Sequence, residues 1–209
     1  MSNRTLLAIG LAIVMLAPPA ATFGGEIRSC VVDGVEGTRA RYWHSGVWSD
    51  VVVKLALPAE AKVTTGFETR VRIVCDDGAI VSIGSGTEVN LENLVGAADS
   101  QRSVAIQLIE GIIGLVVPQR NWRRFEVSTP VAIASVRSTE WLIEWRRGGS
   151  AAVFVRMGEV AVRSAQGERF MLGMGDGITI SAAGAAGDVK QWGAARIAES
   201  TAMLGFEWR

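Results

Sequence analysis

The stretch Thr69-Arg70-Val71-Arg72-Ile73-Val74-Cys75-Asp76-Asp77-Gly78-Ala79-Ile80-Val81-Ser82-Ile83 decides the fold class. Val71, Ile73 and Cys75 recur at every second position, so an extended backbone turns one side apolar and the other polar. Asp76-Asp77-Gly78 is a turn signal, and an apolar run resumes at once. Working outward, the same unit recurs. Residues 51–57 form a run that Pro58 ends, and Gly84-Ser85-Gly86 leads into residues 87–91. Residues 104–109 and 112–117 flank Gly111, and residues 124–128, 131–136 and 140–146 follow Pro118. Beyond Gly148-Gly149 lie residues 151–156, 159–163, 168–172 and 178–180. Short strands with turns every 8–12 residues or so predict an all-β protein, with a solenoid-like, sandwich or barrel body.

Helical periodicity is confined to the C-terminus. Val189, Trp192, Ile197 and Met203 fall at roughly helical spacing, with Lys190, Arg196 and Glu199 between them, and Gly187-Asp188 is a candidate cap. A short C-terminal helix over residues 189–204, docked on the β body, is expected. At the other end, Arg4 precedes an uncharged run of twelve residues, 6–17, then Pro18-Pro19 and the small residues Ala20, Ala21, Thr22, Gly24 and Gly25. That order is a secretory signal peptide. A retained anchor is the alternative, but a spanning helix needs about 20 apolar residues. The predicted organisation is therefore a signal peptide at 1–24, a β domain at 25–185 and a helical tail at 186–209, with no stable membrane span after cleavage.

Composition narrows the partners. The formal charge is zero, so general attraction to nucleic acid is not expected. Twenty-four glycines against five prolines, in a chain that is 49% hydrophobic, fit a folded chain with many tight turns. Cys30 and Cys75 are the only cysteines, and an exported chain with an even count invites a disulfide. Two buried thiols are the alternative. Two cysteines and one histidine fall short of a four-ligand metal site, and neither a metal nor a cofactor is expected.

The order of the strands and turns resembles the FecR domain, named for the periplasmic part of a ferric-citrate signalling protein. The matching elements are Val31-Val32-Asp33-Gly34-Val35, Thr65-Gly66, the alternating run ending in Asp77-Gly78, and Leu108-Ile109-Glu110-Gly111. The most specific is Thr129-Pro130-Val131-Ala132-Ile133-Ala134-Ser135-Val136-Arg137-Ser138-Thr139-Glu140-Trp141, followed by Met157-Gly158-Glu159-Val160. Thr129, Pro130, Arg137, Thr139, Glu140 and Gly158 are the residues that carry the motif. The family usually has glycine where Ser138 stands, which predicts a strained or altered turn. The resemblance implies an all-β, solenoid-like body and protein–protein signalling at the cell envelope, without catalysis. Signalling members also have a cytoplasmic anti-sigma segment and a membrane helix, neither of which is read here, so signal transmission by this chain itself is not expected.

The chemistry-bearing residues support that reading. His44 has no serine elbow or ligand spacing around it. Glu140 and Glu144 share a strand face with Cα atoms about 13 Å apart at strand rise, long for a glycosidase pair, so salt-bridged or solvated glutamates are expected and no catalytic residue is assigned. Trp141, Ile143 and Trp145 share the opposite face and are predicted core. Trp43 and Trp48, in a glycine-flanked segment, are candidates for exposure. Arg120, Arg123 and Arg124, with Trp122 among them, are a candidate binding surface, which Arg146-Arg147 could extend. Arg137 is expected to hold backbone carbonyls at a turn. The chain thus reads as a periplasmic or secreted binding or scaffolding module contacting an envelope protein. The alternative is a domain that binds glycan or peptidoglycan through tryptophan and arginine, and a hydrolase with an unrecognised carboxylate site is a third.

Overall fold

The computed structural model describes residues 27–97, 103–119 and 124–206. The predicted signal peptide therefore lies outside the described residues, as do Arg120, Trp122 and Arg123. The chain enters through β1 (Ile27–Arg28) and β2 (Cys30–Glu36), then forms a hairpin of β3 (Ala40–His44) and β4 (Val47–Asp50). β5 (Ala61–Thr65), β6 (Arg70–Cys75), β7 (Ile80–Ile83), β8 (Glu88–Leu91) and β9 (Gly96–Ala97) follow. Next come β10 (Ser103–Val117), β11 (Arg124–Ser128), β12 (Ala132–Trp145) and β13 (Ser150–Ser164). β14 (Arg169–Leu172), β15 (Asp176–Ser181), β16 (Lys190–Gln191) and α1 (Ala194–Leu204) complete it.

Three long strands organise the molecule. The first half of β10 pairs with β8 and, in parallel, with β11; its second half pairs with β7 and β12. β12 and β13 pair along their whole lengths, and β13 takes β15 on its first half and β14 on its second. Each long strand therefore belongs to two layers. The first runs β4-β3-β5-β8-β10-β11-β12-β13-β14, the second β2-β6-β7-β10-β12-β13-β15-β16. The strands bend where the layers meet: β10 at Gly111 (φ +99°), β13 at Gly158 (φ +88°), and β12 at a bulge between Val136 and Thr139.

Between the layers lies one continuous core. Val63, Val89, Ile106 and Val127 enter it from the first layer, and Ile73, Ile113, Trp141 and Val153 from the second. Trp141, Ile143 and Trp145 point into it as their alternation predicts. Each such side chain contributes about 1.5–3 kcal/mol by leaving water. The all-β body with a short C-terminal helix is therefore what this chain forms. The sheet is open, and its pairing does not establish a solenoid.

Several expectations need correction. The runs separated by Gly111, by Arg137-Ser138 and by Met157-Gly158 are continuous bent strands, not separate short ones. Residues 51–57 are not a strand: Val52 and Val53 are exposed, Lys54 has a positive φ, and the segment joins β2 only through the bridge Val31↔Ala56 and the hydrogen bonds beside it. The helix begins at Ala194, after an N-cap at Gly193, because Lys190–Gln191 pairs instead with Asp176 and Gly177 as an edge strand.

The helix seals the outer face of the second layer. Leu204 packs with Ile112, Leu142 and Phe154, and Trp192 stacks on Phe154 with ring centroids 4.9 Å apart. Arg70 donates to the carbonyls of Met203 and Ala202 at 3.1 and 2.9 Å, and Ser85 N–H donates to Met203 O at 3.1 Å. Carbonyls that a helix C-terminus leaves without partners are thus satisfied, one end by a cation. Among the described residues no element covers the outer face of the first layer in this way.

Candidate functional site

The uncovered face carries two grooves, one at each end. The first is built on the β3–β4 hairpin. Ser45 and Gly46 both have positive φ, as a two-residue type I′ turn requires, and this sets Trp43 opposite Trp48. Both rings are exposed, at 39% and 38%, as their glycine-flanked setting predicts. The Arg41 guanidinium lies 5.7 Å from the centre of the Trp48 ring. Trp43 pairs in register with Lys62, Lys62 with Asn90, and Asn90 with Gln107, so aromatic and polar side chains form one row across the strands. Asn90 Nδ2 donates to Gln107 Oε1 at 3.0 Å, and Lys62 is ion-paired with Glu88. Trp43, Trp48, Lys62 and Asn90, with Glu60, Glu92 and Asn93, line an open groove of about 750 Å³.

The second groove, of about 440 Å³, lies at the bend, and of the motif residues Arg137 and Gly158 line it. Thr129 and Thr139 are buried, and Thr129 Oγ1 accepts from the backbone N–H of Ala132 at 3.0 Å, closing the turn led by Pro130. Gly158 faces Thr139, and a Cβ there would lie 2.4 Å from Ser138 O. The left-handed backbone of this corner therefore sits on Gly158. Ser138 keeps a negative φ, and the strain expected of it is absent. Arg137 is exposed and, among the described residues, bonds no carbonyl, contrary to the role expected for it. It lines the groove with Ser138, Glu159 and Met171.

The carboxylates are structural. Glu140 and Glu144 are buried on the helix-facing side, paired with Arg156 at 2.9 Å and Arg196 at 2.6 Å. Burial pushes the Glu140 carboxyl above the ordinary carboxylate value, and the charge and hydrogen bond of Arg156 partly oppose it. Among the described residues no group of three His, Cys, Asp or Glu could hold a metal ion. Arg124 pairs with Glu126, while Arg147 pairs with Glu110, seven residues from the β10 residue that faces Arg124. That is roughly 23 Å of strand, so these two arginines are not brought together.

In the second layer, Cys30 and Cys75 face each other across β2 and β6 and form a disulfide. Beside it, Arg28 is buried, with Nε 2.9 Å from Asp77 Oδ2 and a hydrogen bond of 2.9 Å to Leu94 O. Asp76 accepts from Ser29 N–H at 2.9 Å. The Asp-Asp-Gly turn is therefore also the rivet for the N-terminal strand. Sequence reasoning missed Arg28 because its partner lies 49 residues away. It also missed Lys62, Asn90 and Gln107, whose common row exists only through strand register.

No curated protein matches the chain. Two crystal structures of a candidate anti-sigma factor from Parabacteroides distasonis are similar in fold, each with a TM-score of 0.55 at 19% identity. The match covers 66% of this chain and 62% of that one, so the likeness spans less than two thirds of the neighbour. Among the described residues, no helix is long and apolar enough to cross a membrane. The family model described as FecR protein matches residues 61–161, from β5 through the bend at Gly158, and this part of the chain is similar to FecR proteins.

Proposed function

We propose that the chain is an exported, non-enzymatic binding module of the cell envelope that contacts another protein through the groove at the bend. The observation that carries the reading is Arg137. It belongs to the most specific segment of the family resemblance, yet among the described residues its side chain makes no hydrogen bond or ion pair, and it lines the groove with Met171. Met157, which precedes Gly158, and Met171 are 59% and 61% exposed. Methionine and arginine are enriched where proteins meet, and methionine adapts its shape to a partner. The anti-sigma description of the structural neighbour is consistent with a regulatory protein contact, and FecR proteins are envelope-associated. The buried disulfide supports export, since such bonds persist in oxidising compartments. Affinity capture from envelope extract, after crosslinking, tests the reading. A specific protein retained by the wild type and lost with Arg137→Ala combined with Met171→Ser supports it. Identical capture by both refutes it.

A further inference from the structure

We propose that the groove at the Trp43–Trp48 hairpin binds an uncharged, β-linked polysaccharide laid across the strands of the first layer. The site lies beyond β10 from the groove at the bend and does not depend on it. Trp48, Trp43, Lys62, Asn90 and Gln107 occupy successive strands in one register row. Neighbouring strands are about 4.8 Å apart, so the row extends for about 19 Å. Indole rings usually seek the interior, and Trp141 and Trp145 do so, whereas Trp192 lies stacked on Phe154. Trp43 and Trp48 instead stay 39% and 38% exposed at the start of a polar row, with the Arg41 guanidinium over the Trp48 ring and Trp43 beside it. The C–H bonds of a β-linked pyranose form an apolar face that fits such a ring, while its hydroxyls need donors and acceptors at the edge. Asn90 and Asn93 supply amides there, and Glu60 and Glu92 supply carboxylate acceptors.

Charge selects among polymers. Lys62 is paired with Glu88, so Glu60 and Glu92 set the sign of the groove, which disfavours polyanions. A protein partner fits less well. The next row on the same face is Asp50, Arg41, Thr64, Glu88 and Glu110, so the tryptophans do not extend into a broad apolar patch. Glu60 and Asn93 both hold positive φ values, +59° and +55°. Such backbone is uncommon for glutamate, whereas asparagine adopts it readily.

The test uses the processed, disulfide-intact protein, titrated with N-acetylglucosamine hexamer, cellohexaose and heparin, and followed by calorimetry and tryptophan fluorescence. Saturable binding of at least one uncharged hexasaccharide is expected, with little binding of heparin. Trp43→Ala and Trp48→Ala are each expected to weaken it about tenfold or more, equivalent to 1.4 kcal/mol, and Asn90→Ala by a smaller factor. Thermal unfolding of each variant, and the conservative Trp43→Phe, separate lost contact from lost fold: Trp43→Phe is expected to retain part of the affinity. The proposal is overturned if neither hexasaccharide binds the folded wild type, if heparin binds more tightly than both, or if folded Trp43→Ala/Trp48→Ala binds as the wild type does.

Discussion

Replacing Gly158 by alanine is expected to destabilise the domain by about 2–5 kcal/mol, in two separable parts. The backbone at this position has φ +88°, and a left-handed conformation costs a residue with a Cβ about 1–2 kcal/mol. The added Cβ would also stand 2.4 Å from Ser138 O and 2.7 Å from Thr139 Cγ2. The first of these is backbone, so the bulge in β12 must move, and overpacking of this kind costs about 1–3 kcal/mol. Gly167 isolates the first part, because its φ is also +88° while nothing lies within 4 Å of its would-be Cβ. Gly167→Ala should therefore cost only about 1–2 kcal/mol. Urea unfolding of the two variants measures both, and thermal midpoints should fall by about 2–4 °C per kcal/mol. Equal losses would show that the strands do not approach closely at Gly158, and the account of the bend would fail. Ser138→Gly, which installs the residue more usual in the family, should bring no gain, since no left-handed strain exists there to relieve.

Reduction of Cys30–Cys75, separated by 45 residues, should lower stability by about 4 kcal/mol on chain entropy; a urea midpoint unmoved by reductant would contradict this. Because burial raises the Glu140 carboxyl in the fold, folding favours its protonated form, so its contribution is full at low pH and is lost as pH rises through the raised value. Relative to wild type, Glu140→Gln should therefore gain stability between acid and neutral pH, and thermal midpoints showing the opposite trend would refute the assignment. Leu142→Ala should cost about 2–5 kcal/mol through the cavity it leaves under α1, whereas a surface residue would cost little. Deleting residues 193–209 should expose Ile112, Leu142 and Phe154 and produce dye binding that the full chain lacks.

The parts of this fold that were legible in sequence are those fixed by local alternation. Trp141, Ile143 and Trp145 could be sent inward because the strand period alone separates them from Glu140, Leu142 and Glu144. What that period cannot reveal is whether the second set meets water or protein. Here the helix covers it, so Leu142 is core and both glutamates need arginines, Arg156 on the next strand and Arg196 on the helix. Glycine misled for a related reason. Gly111 and Gly158 permit a positive φ in a tight turn or at a strand bend alike, and only partners far away in sequence decide which. The β3–β4 hairpin escaped detection because Ala40–His44 alternates weakly, yet Trp43 and Trp48 could still be picked out as exposed from their setting. The row that joins them to Lys62, Asn90 and Gln107 required the pairing of β5, β8 and β10, which no local pattern specifies.

The two outer faces differ in a way that bears on function. A sheet folded over one core always has two further surfaces, and each must be polar, covered or in use. In the second layer the answer is cover: α1 brings Leu204 and Ile197, Trp192 just before it adds its ring, and Arg70 and Ser85 fasten the helix end. In the first layer the surface is mostly polar, with Thr64, Glu88, Asn90 and Gln107 facing out, and its edge strands β4 and β14 are only four residues long, which limits pairing with another sheet. Against that background Trp43, Trp48 and Met171 stand out as large apolar groups left open at opposite ends of one polar face. Folding gains nothing from their exposure, and the helix that could have hidden them lies on the other side of the molecule. On a surface otherwise so polar, those two places are where the proposed binding is to be tested.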